Sequence, residues 1–292
     1  MNILIIGGGE IGKALGKVLE STGQRIQIWD KEKKRNLSKE KLDDLLPLSE
    51  IIFLCVPAHA ITEVCQKIAT FSGPIVCLSK GVDINFKFRM DEVLNNYFGN
   101  KRNYALCYGP MLAEEIMAGG GGVGVVATKD KDIFSVVKNV FSNTPLIIEF
   151  SDDLTGVALG GILKNIYAIF MGSLEGLEWN SNLKSFFAGQ ALKEMKDVME
   201  FLGGKEESFW LSSGLADFIA TAGSSYSSNH SFGKEVILKG DSEIEPEGIF
   251  SYKYINSSLG DKKDNYPILK LVGHLVAKDE KVKNLLEDLL NR

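Results

Sequence analysis

The sequence is poor in what a stapled or metal-built fold needs. Its four cysteines, Cys55, Cys65, Cys77 and Cys107, are too few and too irregularly spaced for a disulfide framework or a zinc site. Most of them lie inside apolar strand-like runs, so they read as buried free thiols in a reduced protein. Basic charge is not in excess either. The 33 Lys+Arg against 38 Asp+Glu leave a net charge of −5, which is no electrostatic footprint for nucleic acid or an anionic membrane. No uninterrupted apolar run approaches the ~18 residues of a membrane span, and no charged n-region precedes the first apolar stretch. These absences leave small-molecule chemistry in the cytoplasm as the expectation, with no nucleic-acid partner and no membrane insertion.

What is present is the composition of a globular protein, 45% hydrophobic and 24% charged, in 292 residues that give room for two domains. The apolar run Ile3-Leu4-Ile5-Ile6 is followed by Gly7-Gly8-Gly9-Glu10-Ile11-Gly12 and then by the helix-compatible Lys13-Ala14-Leu15-Gly16-Lys17-Val18-Leu19. Strand, glycine turn and helix in that order form the dinucleotide-binding arrangement. Gly7 makes the tight turn, Gly9 lets backbone N–H groups approach a pyrophosphate, and Gly12 lets helix and strand pack closely. Asp30 ends the next strand-like stretch, Arg25-Ile26-Gln27-Ile28-Trp29, where a carboxylate takes the adenosine ribose hydroxyls and repels a 2′-phosphate. NAD is therefore the expected cofactor. The basic run Lys31, Lys33, Lys34 and Arg35 reads as a solvated loop and keeps NADP open.

Further short apolar runs follow at Ile51–Val56, Pro74–Leu78, Tyr104–Cys107, Val123–Ala127 and Leu146–Phe150, each read as a parallel strand buried on both faces. The predicted fold class is α/β, with an N-terminal doubly wound Rossmann-type sheet domain over residues 1–150. Past Ser151 the apolar residues recur at helical spacing, so residues 151–292 read as an all-helical substrate and catalytic domain. Asp152 or Asp153 is the expected N-cap of its first helix. Gly156, Gly160 and Gly161 give that helix a bare stripe for a neighbouring helix, a partner subunit or the cofactor. Gly119-Gly120-Gly121-Gly122 reads as a plain loop.

Ligands of a doubly wound sheet bind outside the carboxyl ends of its strands. Val56-Pro57-Ala58-His59, Ser79-Lys80-Gly81 and Tyr108-Gly109-Pro110-Met111 fall there, and Lys80 is placed to set an ammonium beside a bound oxygen. In the helical half, Lys164 and Asn165 interrupt an apolar, glycine-rich helix, so Lys164 either snorkels to solvent or is buried for a reason. Asp217 is an acid in an apolar surround that could equally be an N-cap.

Gly160-Gly161-x-Leu163-Lys164-Asn165, Gly214-Leu215-x-Asp217-Phe218 with Thr221, Asn229-x-x-Phe232-Gly233 and Glu247-Gly248 resemble, in order and spacing, the NAD(P)-dependent sn-glycerol-3-phosphate dehydrogenases. Val56-Pro57-Ala58, Ser79-Lys80-Gly81 and Gly109-Pro110-x-x-Ala113-Glu114-Glu115 extend the resemblance over nearly the whole chain. It implies hydride transfer between NAD(H) and glycerol 3-phosphate or dihydroxyacetone phosphate, with the active site between the two domains. It also implies that Lys164 is the general acid/base, Lys80 the electrostatic clamp and Asp217 the orienting carboxylate. Gly109, Asn165, Thr221, Ser228 and Asn229 then face the substrate, a phosphorylated small molecule. Gly7, Gly9, Glu10, Ile11, Gly12, Asp30, Pro57, Ala113 and Glu247 face the cofactor. No metal is implied, and a homodimer is left open. The chemistry agrees, because a hydroxyl that loses hydride must also lose its proton to a group within reach. A lysine can accept it when burial or a neighbouring cation lowers its pKa.

The sequence departs from the family pattern at Ser228, where family members carry an arginine, at Met111 in place of serine or threonine, and at Glu10-Ile11 inside the glycine turn. Serine lacks the charged fork that arginine gives a phosphate. His230 or Lys234 is the candidate replacement. The alternatives are a dehydrogenase of the same build acting on another 2-hydroxy or keto compound, and a non-catalytic NAD(H) sensor.

Overall fold

Strand β1 (Asn2–Ile6) lies in the interior of a seven-stranded sheet, with Leu4, Ile5 and Ile6 wholly inaccessible. The computed structural model describes residues 1–85, 87–99, 103–224 and 226–291. They divide into two compact units, Met1–Ala158 and Leu159–Arg292.

In the first unit β1 leads into α1 (Glu10–Glu20) and β2 (Arg25–Trp29). The short α2 (Leu42–Leu45), β3 (Ile51–Leu54), α3 (Ile61–Lys67) and β4 (Ile75–Cys77) follow. After a small hairpin of β5 (Val82–Asp83) and β6 (Phe88–Arg89) come α4 (Met90–Phe98), β7 (Tyr104–Tyr108), α5 (Ala113–Met117), β8 (Gly122–Ala127), α6 (Lys131–Val140) and β9 (Leu146–Ser151). The sheet order is β2-β1-β3-β4-β7-β8-β9, so successive strands leave β1 in opposite directions. That reversal opens a crevice at the carboxyl ends of β1 and β3. The helix α1 buries Ala14, Leu15, Val18 and Leu19 on one stripe against the sheet, each large side chain stabilising by about 1.5–3 kcal/mol. A Cβ at Gly16 would press on the tip of the Ile28 side chain.

Two sequence expectations require correction. The run Val123–Ala127 is antiparallel to β7, not parallel, because apolarity reports burial and carries no direction. Leu146–Phe150 is the sheet's outer strand, and Ile147 is 63% exposed, so it is not buried on both faces.

Among the described residues the second unit is helical throughout, as the change of pattern past Ser151 predicts. Its central element is α7 (Leu154–Gly176), which starts in the last residues of the first unit, where the Asp153 carboxylate accepts the Gly156 N–H at 3.0 Å as an N-cap. By length and composition α7 is apolar enough to cross a membrane, yet 89% of its most apolar window is buried inside the protein. Around it come α8 (Ser181–Phe201), α9 (Glu206–Trp210), α10 (Asp217–Ala222), α11 (Ser228–Lys239), α12 (Glu247–Leu259), α13 (Pro267–Val276) and α14 (Val282–Glu287). The glycines of α7 meet helices. A Cβ at Gly160 would press on Ser213, and one at Gly172 would collide with the His230 carbonyl of α11. From α8, the buried Glu194 accepts bonds from the Tyr167 hydroxyl (2.8 Å) and from the Ile268 and Leu269 N–H groups (3.0 and 2.7 Å). This carboxylate caps α13, whose first residue, Pro267, has no N–H to offer.

Candidate active site

The glycine turn closes the crevice end of β1. Gly7 adopts φ +112°, and a Cβ there would collide with the Cys55 carbonyl at the end of β3. A Cβ on Gly12 would strike the Gly7 carbonyl, so this third glycine is what lets α1 start so close to the strand. Gly9 is different. A Cβ there would meet nothing within 4 Å, and Gly9 is the N-cap of α1 with no side chain bonded to the turn. Backbone N–H groups at a helix start, facing open space with no Cβ in front of them, suit a pyrophosphate. Glu10 is exposed on the first turn, and Ile11 packs against the sheet core.

Asp30 follows β2. One oxygen accepts the Gly8 N–H and the other the Glu32 N–H, each at 2.8 Å, which fixes the carboxylate beside the turn. A pocket opens there, walled by Trp29, Val56 and Pro57 as well as Asp30. Apolar groups from Trp29, Val56 and Pro57 beside the Asp30 carboxylate, with charged side chains around them, match the needs of an adenosine. The residues present thus fit a dinucleotide, with Gly7, Gly9, Gly12, Asp30 and Pro57 gathered at one sheet edge.

Further along the same edge Lys80 donates to the Gly109 carbonyl at 2.9 Å, and its ammonium sits 5.8 Å from the centre of the Tyr108 ring. Gly109 has φ +154°, and a Cβ there would collide with the Val123 carbonyl. Met111 packs against the sheet core and approaches Gly122 and Gly124, and Ala113 opens α5.

In the helical unit, Lys164 is buried at 7% exposure, so the snorkelling alternative does not hold. Its ammonium donates to Asp217 at 2.7 Å and to the Thr221 hydroxyl at 2.9 Å. Asp217 opens α10 directly after a π-helical turn, Ser212–Ala216, and at 2% exposure its carboxylate serves the ion pair rather than a helix cap. Beside the lysine, Asn165 accepts from the Asn229 amide at 3.2 Å, and the Asn229 carbonyl accepts the Gly248 N–H at 2.8 Å. These two buried amides tie α7, α11 and the start of α12 together. Glu247, at that start, is half-buried; burial pushes its carboxyl up to about 7, against the pull of the Lys164 ammonium.

Ser228 is exposed on the first turn of α11. His230 and Lys234, the candidates to replace the family arginine, both pair with Glu175, at 3.2 and 2.6 Å. Burial lowers the His230 pKa, with Glu175 opposing. The sequence reading missed Glu175 because nothing in the α7 periodicity marks the residue across from α11. It also missed the π turn that aims Asp217.

Comparison with known proteins agrees over both units. Residues 36–134 match the family profile described as NAD-dependent glycerol-3-phosphate dehydrogenase N-terminus, and residues 153–287 match its C-terminus counterpart. A glycerol-3-phosphate dehydrogenase [NAD(P)+] of Clostridium tetani is 28% identical, covering 99% of this chain and 92% of its own. One of Staphylococcus aureus is 26% identical over 99% of this chain and 98% of its own. The crystal structure of glycerol-3-phosphate dehydrogenase from Coxiella burnetii shares the fold, with a TM-score of 0.86 at 24% identity over 100% of this chain and 99% of that one.

Proposed function

The chain belongs to the NAD-dependent glycerol-3-phosphate dehydrogenase family, and on that premise we propose that it moves hydride between NAD(H) and the glycerol 3-phosphate/dihydroxyacetone phosphate pair. It is an oxidoreductase acting on a CH–OH group, and NAD(P) is its cofactor class. The nicotinamide of a dinucleotide held at the glycine turn would supply or accept the hydride. The chain's own residues handle the proton and the charge.

The observation that carries the mechanism is the buried Lys164–Asp217–Thr221 cluster. In the reducing direction the Lys164 ammonium gives a proton to the substrate carbonyl oxygen as negative charge develops there; in the oxidising direction the amine takes the hydroxyl proton. Asp217 balances the ammonium in a dry surround, and Thr221 fixes its direction. Lys80, held at Gly109, is the electrostatic clamp that supplies positive charge to the substrate. Asp30 sets the preference for NAD by placing negative charge where NADP carries its 2′-phosphate. The four buried free thiols support a reducing compartment, the cytoplasm.

The test is NADH oxidation by the purified protein with dihydroxyacetone phosphate, beside a panel of unphosphorylated keto compounds. Turnover of dihydroxyacetone phosphate above the panel is expected. Turnover of a panel member alone overturns the substrate.

A further inference from the structure

The pocket read as the adenosine site is lined by charges of both signs. Lys31 and Arg35 come from the loop after β2, and Glu63 and Lys67 from α3. Glu63 stands between two lysines, 3.6 Å from Lys31 and 2.8 Å from Lys67, while Arg35 pairs with Glu32 at 3.5 Å. The backbone of the loop is tied down. The Arg35 and Asn36 N–H groups bond to the Glu32 carbonyl, Leu37 and Ser38 donate to Ile28, and the Arg35 backbone packs on Gly8, where a Cβ would collide with it. Asp30, in contrast, receives only backbone N–H groups among the bonds described, so its charge has no cationic side chain set against it there.

A 2′-phosphate brings close to two negative charges. It would have to sit beside Asp30 and recruit cations already engaged by carboxylates. We propose that Glu63 is a specificity-determining residue for the cofactor: by holding Lys31 and Lys67 it withdraws positive charge from the ribose edge of the pocket and leaves Asp30 to disfavour NADP. The proposal rests on reading this pocket as the adenosine site and explains how Lys31, next to Asp30, is compatible with NAD. The ion pairs are exposed, with Lys31 and Glu63 side chains 62% and 50% accessible. Each pair is therefore weak, and Glu63 tunes the preference by a small factor rather than switching it.

The experiment is calorimetric binding of ADP-ribose and of 2′-phospho-ADP-ribose to the full chain, wild type and Glu63→Gln, at low and high salt. Wild type is expected to favour ADP-ribose. Glu63→Gln should reduce that preference by about threefold to fivefold at low salt, with the change shrinking at high salt, as expected of exposed charges. Adding Lys31→Met to Glu63→Gln should restore most of the preference. Binding of ADP-ribose to both proteins with an unchanged ratio overturns the role of Glu63, as does a wild type that prefers the 2′-phosphorylated ligand. If the wild type binds neither ligand, it is the reading of the pocket as the adenosine site that fails.

Discussion

The Lys164 ammonium and the Asp217 carboxylate lie 2.7 Å apart in the helical unit, with side chains only 9% and 2% exposed. Two charges so far from water are tolerable only together, since removing one leaves the other buried and uncompensated, at a cost of about 3–5 kcal/mol. The pair holds a proton-carrying nitrogen at a fixed point of an otherwise apolar helix. It also makes the helical unit depend on both partners.

Asp217→Asn should therefore lower both stability and kcat. Urea unfolding should show a loss on the order of 3 kcal/mol, and turnover should fall at least a hundredfold. The double variant Lys164→Met, Asp217→Leu separates the two effects: it should regain much of the stability while remaining inactive. Recovered activity there would remove the pair from the chemistry.

The glycine turn gives a second separation. Gly12→Ala should destabilise the sheet unit, because its Cβ would strike the Gly7 carbonyl. Gly9→Ala meets nothing in the protein and should keep its thermal midpoint while weakening ADP-ribose binding severalfold, as measured by calorimetry. Unchanged binding in Gly9→Ala would move the pyrophosphate away from this turn.

Glu247 makes stability depend on pH. Its carboxyl is raised to about 7 from an ordinary 4.5, so the folded chain holds a proton that the unfolded chain has released between those values. Stability from this group is full below about pH 4.5, falls as pH rises, and is lost above about pH 7, by up to roughly 3 kcal/mol. Glu247→Gln should flatten this slope in thermal melts across that range and be the more stable protein at pH 8. A slope unaffected by the substitution would contradict the assignment.

Much of this architecture was legible in the sequence. The apolar runs locate the strands of the main sheet, and the glycine turn with Asp30 locates the nucleotide end, because burial and close backbone approach leave local marks. Lys164, Asn165 and Asp217 stand out in the sequence as polar breaks in apolar stretches, their roles and that of Thr221 come from motif resemblance, and the structure brings Lys164, Asp217 and Thr221 into one cluster. What stayed hidden is pairing across distance. Strand direction at β8, the small hairpin at Val82 and Phe88, and the capture of His230 and Lys234 by Glu175 each depend on a partner that no local spacing announces. The same holds for Glu194, whose hydrogen bonds to α13 span 74 and 75 residues.

His230 and Lys234 pair with Glu175, and Ser228 is the position proposed for a restored phosphate anchor. Ser228→Arg should raise kcat/KM for dihydroxyacetone phosphate by about tenfold, through a charge-assisted bond worth roughly 1.5 kcal/mol or more. The gain should appear mainly in KM. No gain, or a gain only for unphosphorylated ketones, would show that the substrate phosphate lies elsewhere.

Proton transfer through Lys164 is tested most directly by the Lys164→Ala variant, assayed for NADH oxidation with dihydroxyacetone phosphate while NADH binding is followed by fluorescence. In this variant kcat should fall about a hundredfold to ten-thousandfold, with NADH affinity within a few-fold of wild type. Turnover equal to wild type would contradict this, because proton transfer would then not pass through Lys164.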